Sequence, residues 1–222
     1  MLTAGAWHSP FGGPTRLVSA GDPVGASARL LILPAVFDEG HKLRRLTVNV
    51  MRMLVDSGIA SFMFDPAGLM ESAHPLGDTT LEDWRDEAEA AAKGLSATHI
   101  LAIRGGALIA RERANLVHYA PLQGKSLLRA MLRARIIANK EAGTPSTQEE
   151  LLARGRSEGL RLAGYALSAA MVSQLEGATH PQAARTIAQS ELGGAALWLR
   201  AEASYEAEQA RQLARLVAEW AS

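Results

Sequence analysis

Two kinds of apolar segment alternate along this chain. Arg29 to Phe37 (RLLILPAVF) is a continuous apolar run, bounded by a Gly-rich turn and by Asp38-Glu39-Gly40. A short run without polar alternation predicts a strand buried on both faces. Lys42 to Ser57 carries Leu43, Leu46, Val50, Met53 and Leu54 at helical spacing and closes at Gly58. Ile59 to Phe64 is a second strand-like run and stops at Asp65-Pro66. Thr80 to Lys93 predicts a helix, with Thr80 as its N-cap, Glu82 and Asp83 in the first turn and Gly94 at its end. His99 to Ile103 is a third short strand. This alternation predicts βαβ units: an α/β fold with a mostly parallel sheet flanked by helices, forming a single domain over residues 1–222. The three strands are expected side by side at its centre. Ligand sites of parallel sheets lie beyond the carboxyl ends of the strands. That singles out Pro34 to His41, Asp65 to Ser72, and Arg104 to Gly106.

After a further candidate strand, Leu116 to Ala120, the alternation breaks. Ser126 to Glu141 predicts a strong helix with Leu127, Leu128, Met131, Leu132, Ile136 and Ile137 inside, flanked by Arg129, Arg133 and Arg135. Gly143 to Ser146 ends it, and Thr147 to Ala153 and Ala166 to Leu175 are helical again. Residues 122–178 therefore read as an all-helical cap inserted over the strand ends. Short strands are expected to resume at Arg185 to Gln189 and Ala195 to Leu199, before a final amphipathic helix from Tyr205 to Trp220.

Composition narrows the chemistry. The 222 residues suffice for one core, and 23 basic side chains balance 23 acidic ones. A chain of zero net charge has no general attraction for a nucleic-acid backbone or an anionic surface, so no nucleic-acid partner is expected. The Arg129/Arg133/Arg135 stripe is either a solvated face or a contact with a partner or a polar lipid head. The absence of cysteine excludes disulfides, thiolate metal sites and a cysteine nucleophile. His8, His41, His74, His99, His118 and His180 form no i, i+4 pair and no H-E-x-x-H, so neither a metal nor another cofactor is expected. Met1 to Arg16 contains Pro10, Gly12, Gly13 and Pro14 and does not read as a secretory signal. No stretch approaches the ~18 apolar residues of a membrane span. A cytoplasmic protein without an integral membrane segment is the expectation; no pattern specifies an oligomeric state.

Asp65-Pro66-Ala67-Gly68-Leu69-Met70-Glu71-Ser72 resembles the D-x-x-G-x-G-x-S turn after strand four of α/β hydrolases, with Met70 at the second glycine. More narrowly, the chain is similar to the exosortase A system-associated hydrolases of type 2. The resemblance rests on Pro34 to Phe37 leading into Asp38-Glu39 and Lys42-Leu43-Arg44-Arg45, and on Ile103-Arg104-Gly105-Gly106-Ala107-Leu108. It continues through Pro121-Leu122-Gln123-Gly124-Lys125 and Gly164 to Ser168, and covers roughly residues 28 to 175. It implies an α/β-hydrolase fold with a cap, and a setting in exopolysaccharide production and protein sorting to the envelope.

An active hydrolase of this fold carries G-x-S-x-G at a sharp strand-to-helix turn. The aligned residues here are Ala102-Ile103-Arg104-Gly105-Gly106, which keep the small side chains and lose the nucleophile. The fold supplies its His after the last strand, yet no His follows His180. Glu191 stands near the position of the acid. The reading is a degenerate hydrolase, a pseudoenzyme that binds a small anionic molecule or a protein partner through Arg104, Gly105, Phe37, Glu39 and His41. An active ester or thioester hydrolase using Arg104 with His41 or Asp65 is the alternative, and a docking module acting through its cap helices a third. Arg104 either pairs with Glu39 or Asp65, or offers its fork of donors to a carboxylate or phosphate, aided by a helix N-terminus. His41 is an acid/base group, a second ligand contact or a plain loop residue. Asp65 either moves a proton or holds its own turn.

Overall fold

Residues 1–11 and 13–222 are described by a computed structural model, whose centre is a seven-stranded sheet. Its strands are β1 (Leu2–Ser9), β2 (Gly13–Ala20), β3 (Ala28–Leu33), β4 (Ile59–Phe64), β5 (His99–Ile103), β6 (Leu116–Tyr119) and β9 (Arg185–Ile187). Across the sheet they run β1-β2-β4-β3-β5-β6-β9. From β4 to β9 every pairing is parallel, and the expected strands β4, β3 and β5 are indeed neighbours. An antiparallel hairpin, β1–β2, completes one edge. That hairpin is absent from the sequence reading, because β1 is mostly exposed and has no apolar period.

Both faces of the central strands are buried, which is why their sequences do not alternate. Leu31 and Leu33 face one core with Phe62, Phe64, Ile100 and Ala102; Leu30 and Ile32 face the other with Met63, Leu101 and Ile103. Each of these Leu, Ile, Phe and Met side chains contributes about 1.5–3 kcal/mol of burial. Helices α1 (Phe37–Leu54) and α7 (Ala207–Ala221) cover the second face through Leu43, Val50, Leu213 and Val217. Helix α2 (Leu81–Gly94) covers the first, and Thr80 caps it as expected: its hydroxyl accepts from the Asp83 N–H while the Asp83 carboxylate accepts from the Thr80 N–H.

The segment after β6 contains α3 (Gly124–Glu141), α4 (Gln148–Glu158), β7 (Leu160–Leu162), β8 (Tyr165–Leu167) and α5 (Ala169–Gly177), all packed on the core of α2. It is not all-helical. Residues 160–167 form a hairpin whose two-residue loop, Ala163-Gly164, has positive φ at both positions. That is the backbone a tight hairpin requires, and it stops a helix from starting at Ala166. The segment reaches the strand ends, where the Tyr165 ring lies 5.1 Å from Phe37.

Two further boundaries differ from the sequence reading. Helix α1 begins at Phe37 rather than Lys42, because Asp38 and Glu39 suit the positive end of a helix and occupy its first turn. No strand forms at Ala195 to Leu199. Gly193 and Gly194 both take positive φ, and after the short α6 (Gln189–Leu192) the chain makes only a 3-10 turn at Leu197–Leu199. The sheet therefore ends at β9.

Helix α3 starts hard against α5. A Cβ on Gly124 would lie 2.0 Å from the Leu175 carbonyl oxygen and 3.1 Å from Ala178 Cβ. Gly124→Ala should lower unfolding free energy by about 1–3 kcal/mol. Chemical denaturation measures this, and an unchanged midpoint would contradict the close docking.

Candidate functional site

Residues that the sequence singles out meet at the carboxyl ends of β3, β4 and β5, in two separate clusters. The first surrounds the tip of β5. Arg104 follows Ile103 directly and holds φ +53°, a left-handed conformation that a bulky side chain rarely adopts. The strain is imposed by crowding. A Cβ on Gly106 would sit 2.3 Å from the Leu33 carbonyl oxygen, and one on Gly105 would sit 2.6 Å from Val36 Cγ2. The turn is thus as sharp as a nucleophile elbow, with an arginine at its apex. It opens a five-residue 3-10 turn, Arg104–Leu108, and not an α-helix, so the expected helix N-terminus for an anion is missing.

The Arg104 side chain is fully engaged. Its Nε and Nη2 donate to the two carboxylate oxygens of Glu39, both at 2.9 Å, and Nη1 donates to the Ala120 carbonyl at 2.8 Å. The guanidinium lies 4.0 Å from the centroid of the Trp198 ring, in cation–π stacking. Trp198 leans on Tyr119, whose phenol donates to Gln189. Burial pushes that phenol's pKa up, opposed by the charge of Arg104. Of the two sequence alternatives, the bidentate pair with Glu39 is what forms. Trp198 lies on the segment read as a strand, and no feature of that segment's apolar pattern marks it as a lid.

Asp65 belongs to the second cluster. It is fully buried at the end of β4 and pairs with Arg44 of α1, while its Oδ2 accepts from the Glu71 N–H at 3.4 Å. It therefore holds its own turn and does not contact Arg104. Met70 takes φ +52°, a left-handed backbone that glycine adopts most readily. Gly68, at φ +78°, could not carry a Cβ without meeting Leu76 Cα at 2.5 Å. His41 is exposed on the second turn of α1, not on a loop, and it borders a cavity of about 10 Å³ with Phe37, Arg44, Pro66, Met70 and Tyr165. That volume leaves no room for anything larger than a single water. Gly105 is buried beneath Val36, and Phe37 packs on Trp84 and Tyr165; neither has a polar side chain for a ligand. Arg104 and Glu39 thus form one unit, His41 and Asp65 flank another, and the three proposed catalytic partners are not assembled.

The remaining polar groups do not rebuild a triad. Glu191 pairs with Arg185 and accepts from the Ala188 N–H, which together hold its pKa low. Glu87 of α2 is buried beneath the Asp65 turn, accepting from the Ser9 hydroxyl and the Ala67 N–H. Burial raises its pKa, and both hydrogen bonds oppose that rise. Its place inside an otherwise polar helix pattern gives no sequence signal. His118 of β6 is 1% exposed, its Nε2 has no partner among the described residues, and its ring meets His180 edge-on at 5.0 Å. Burial, with a smaller contribution from His180, lowers its pKa to about 4. This pair, far apart in sequence, escapes a search for i, i+4 spacing. No group of three metal-ligating side chains occurs among the described residues.

No family model matches the chain, and no curated protein does. Several solved structures resemble it. One is a lidless α/β serine hydrolase from Xanthomonas campestris: 17% identity, 54% of this chain, 61% of that one, TM-score 0.42. A hypothetical protein from Pseudomonas aeruginosa shares 12% identity over 80% of this chain and 71% of its own, with a TM-score of 0.46. An epoxide hydrolase from Vigna radiata shares 14% identity over 54% of this chain and 40% of its own, with a TM-score of 0.43. The chain spans about 60% of the length of the first two structures matched.

Two outcomes test this geometry. The Arg104–Glu39 pair is mostly buried, with side chains 13% and 20% exposed, so removing either partner strands the other. Arg104→Ala and Glu39→Ala should each cost about 2 kcal/mol in denaturant unfolding, and the double variant clearly less than their sum. Additive losses would refute the coupling. His118, for its part, has a folded pKa below its unfolded value near 6.5. The unfolded chain then binds the extra proton, so stability is complete above about pH 6.5 and falls as pH drops toward 4. The loss is at most about 3 kcal/mol. His118→Leu should flatten that acid slope in melting curves; an unchanged slope would contradict the assignment.

Proposed function

We propose that this chain is an α/β-hydrolase-fold protein that has abandoned Ser-His-Asp catalysis and acts by binding, a pseudoenzyme. The observation that carries the reading is the apex of the elbow. The fold's reactive position holds an arginine whose donors are spent on Glu39 and Ala120 and whose face is covered by Trp198. No hydroxyl or thiol stands there, and no histidine follows His180. An anion at this point would have to displace Glu39, which favours a protein or surface partner over a small anionic ligand. In this reading residues 1–222 act as one domain, with residues 122–178 as its cap. Its sequence resemblance to the exosortase-associated hydrolases supports a place in envelope polysaccharide export and sorting.

Hydrolysis of p-nitrophenyl acetate and butyrate tests the proposal. Wild type and Arg104→Ser should both stay at the uncatalysed rate, the variant because no general base stands beside the new hydroxyl. Wild-type turnover that vanishes in Arg104→Ala, with the variant still folded at the assay temperature, would overturn it.

A further inference from the structure

The cations of this chain are distributed unevenly. Arg16, Arg44, Arg85, Arg104, Arg111 and Arg113 pair with carboxylates, as do five further arginines toward the carboxyl end. Among the described residues Arg29, Arg45, Arg52, Lys93, Arg154 and Arg161 stand outside ion pairs singly or in twos, but helix α3 gathers five such cations on one element. Among the described residues none of Lys125, Arg129, Arg133, Arg135 or Lys140 forms an ion pair with a carboxylate, and Glu141 is the helix's only acidic residue. A helix of a neutral chain thus carries a net charge of +4, five cations against one anion.

Geometry sorts these cations. At 100° per residue Lys125, Arg129, Arg133 and Lys140 fall within an arc of about 80°, opposite the buried Leu127 and Met131 and bordered on one side by Leu132. All four are exposed, whereas Arg135 points back toward the core side and is half-buried. The stripe named from the sequence is therefore corrected: Arg135 leaves it, and Lys125 and Lys140 join it. The ridge is about 22 Å long. Lys125, Arg129 and Arg133 follow each other at i, i+4, where like charges repel and weaken the helix. At the end of the ridge Ile137 is 54% exposed, beside the half-buried Ile136.

We infer that the outer face of α3 docks the protein on an anionic membrane surface. A straight, convex basic ridge suits a flat layer of phosphate head groups, and each basic side chain near such a surface strengthens partition about fivefold. An isoleucine flanking the cations can enter the boundary between head groups and acyl chains, whereas a phosphate backbone would leave it idle. The helix has no aromatic side chain on which bases could stack. No described helix is long and apolar enough to cross a membrane. Zero net charge does not oppose it, because screening limits the interaction to about 8 Å and the local ridge decides. The inference goes beyond the pseudoenzyme reading and is independent of esterase results.

Co-sedimentation of the full chain with vesicles tests it. Vesicles of phosphatidylcholine with one-third phosphatidylglycerol should bind wild type, those of phosphatidylcholine alone should not, and binding should fade as salt rises. The triple variant Lys125→Glu, Arg129→Glu, Arg133→Glu should partition ~100-fold more weakly with unaltered melting, and Ile137→Ser a few-fold more weakly. Arg129→Lys with Arg133→Lys should bind like wild type, since a head-group layer needs charge and not the guanidinium fork. Equal binding to both vesicle types, no binding to either, or an unaffected triple variant would overturn the assignment. So would tighter binding of polyuridylic acid than of vesicles.

Discussion

Where β5 ends, the chain passes so close to Leu33, Pro34 and Val36 that only glycine fits at positions 105 and 106. This close approach sets much of what surrounds it. It forces Arg104 into left-handed backbone at the apex of the turn. It fixes the direction of the guanidinium toward the first turn of α1, where Glu39 waits, and toward the Ala120 carbonyl at the end of β6. Three crossovers of the sheet are thereby tied at one point. Trp198, arriving from beyond β9, closes over the knot. A turn of this shape is costly, and elsewhere it serves to expose a reactive atom. Here the same backbone presents a side chain that is then fully consumed by its neighbours.

The buried charges of the molecule follow one rule. Buried ions are matched: Asp65 by Arg44, Glu39 by Arg104. Titratable groups buried without a counter-ion, Glu87 and His118, have pKa values pushed toward their neutral forms. Both patterns are what a low-dielectric interior demands. At the surface, the outer face of α3 gathers exposed cations without carboxylate partners on one helix. Such an arrangement lowers helix stability by itself.

Much of this was legible in the primary structure. Unbroken apolar runs at 29–33, 59–64 and 99–103 announce strands covered on both faces, and their spacing around two amphipathic helices leads directly to a parallel sheet. Thr80 and Asp83 announce a helix start through local hydrogen bonds. The missing serine and the absence of histidine after His180 are facts of sequence alone. These features are local or compositional, so no knowledge of distant contacts is needed to read them.

What the tertiary structure decided is pairing between distant positions. Whether Arg104 would meet Glu39 or Asp65, that His118 would lie on His180, and that Trp198 would cap the elbow are choices among partners 60 or more residues apart in most cases. Residue type permits several such partners, and only the crossing of strand ends selects one. The departures at Ala195 to Leu199 and at 160–167 have the same origin, because paired positive-φ residues at 193–194 and 163–164 override short apolar patterns. Periodicity reports which side of an element is buried. It carries no information on what is buried against it, since that depends on the path of the whole chain.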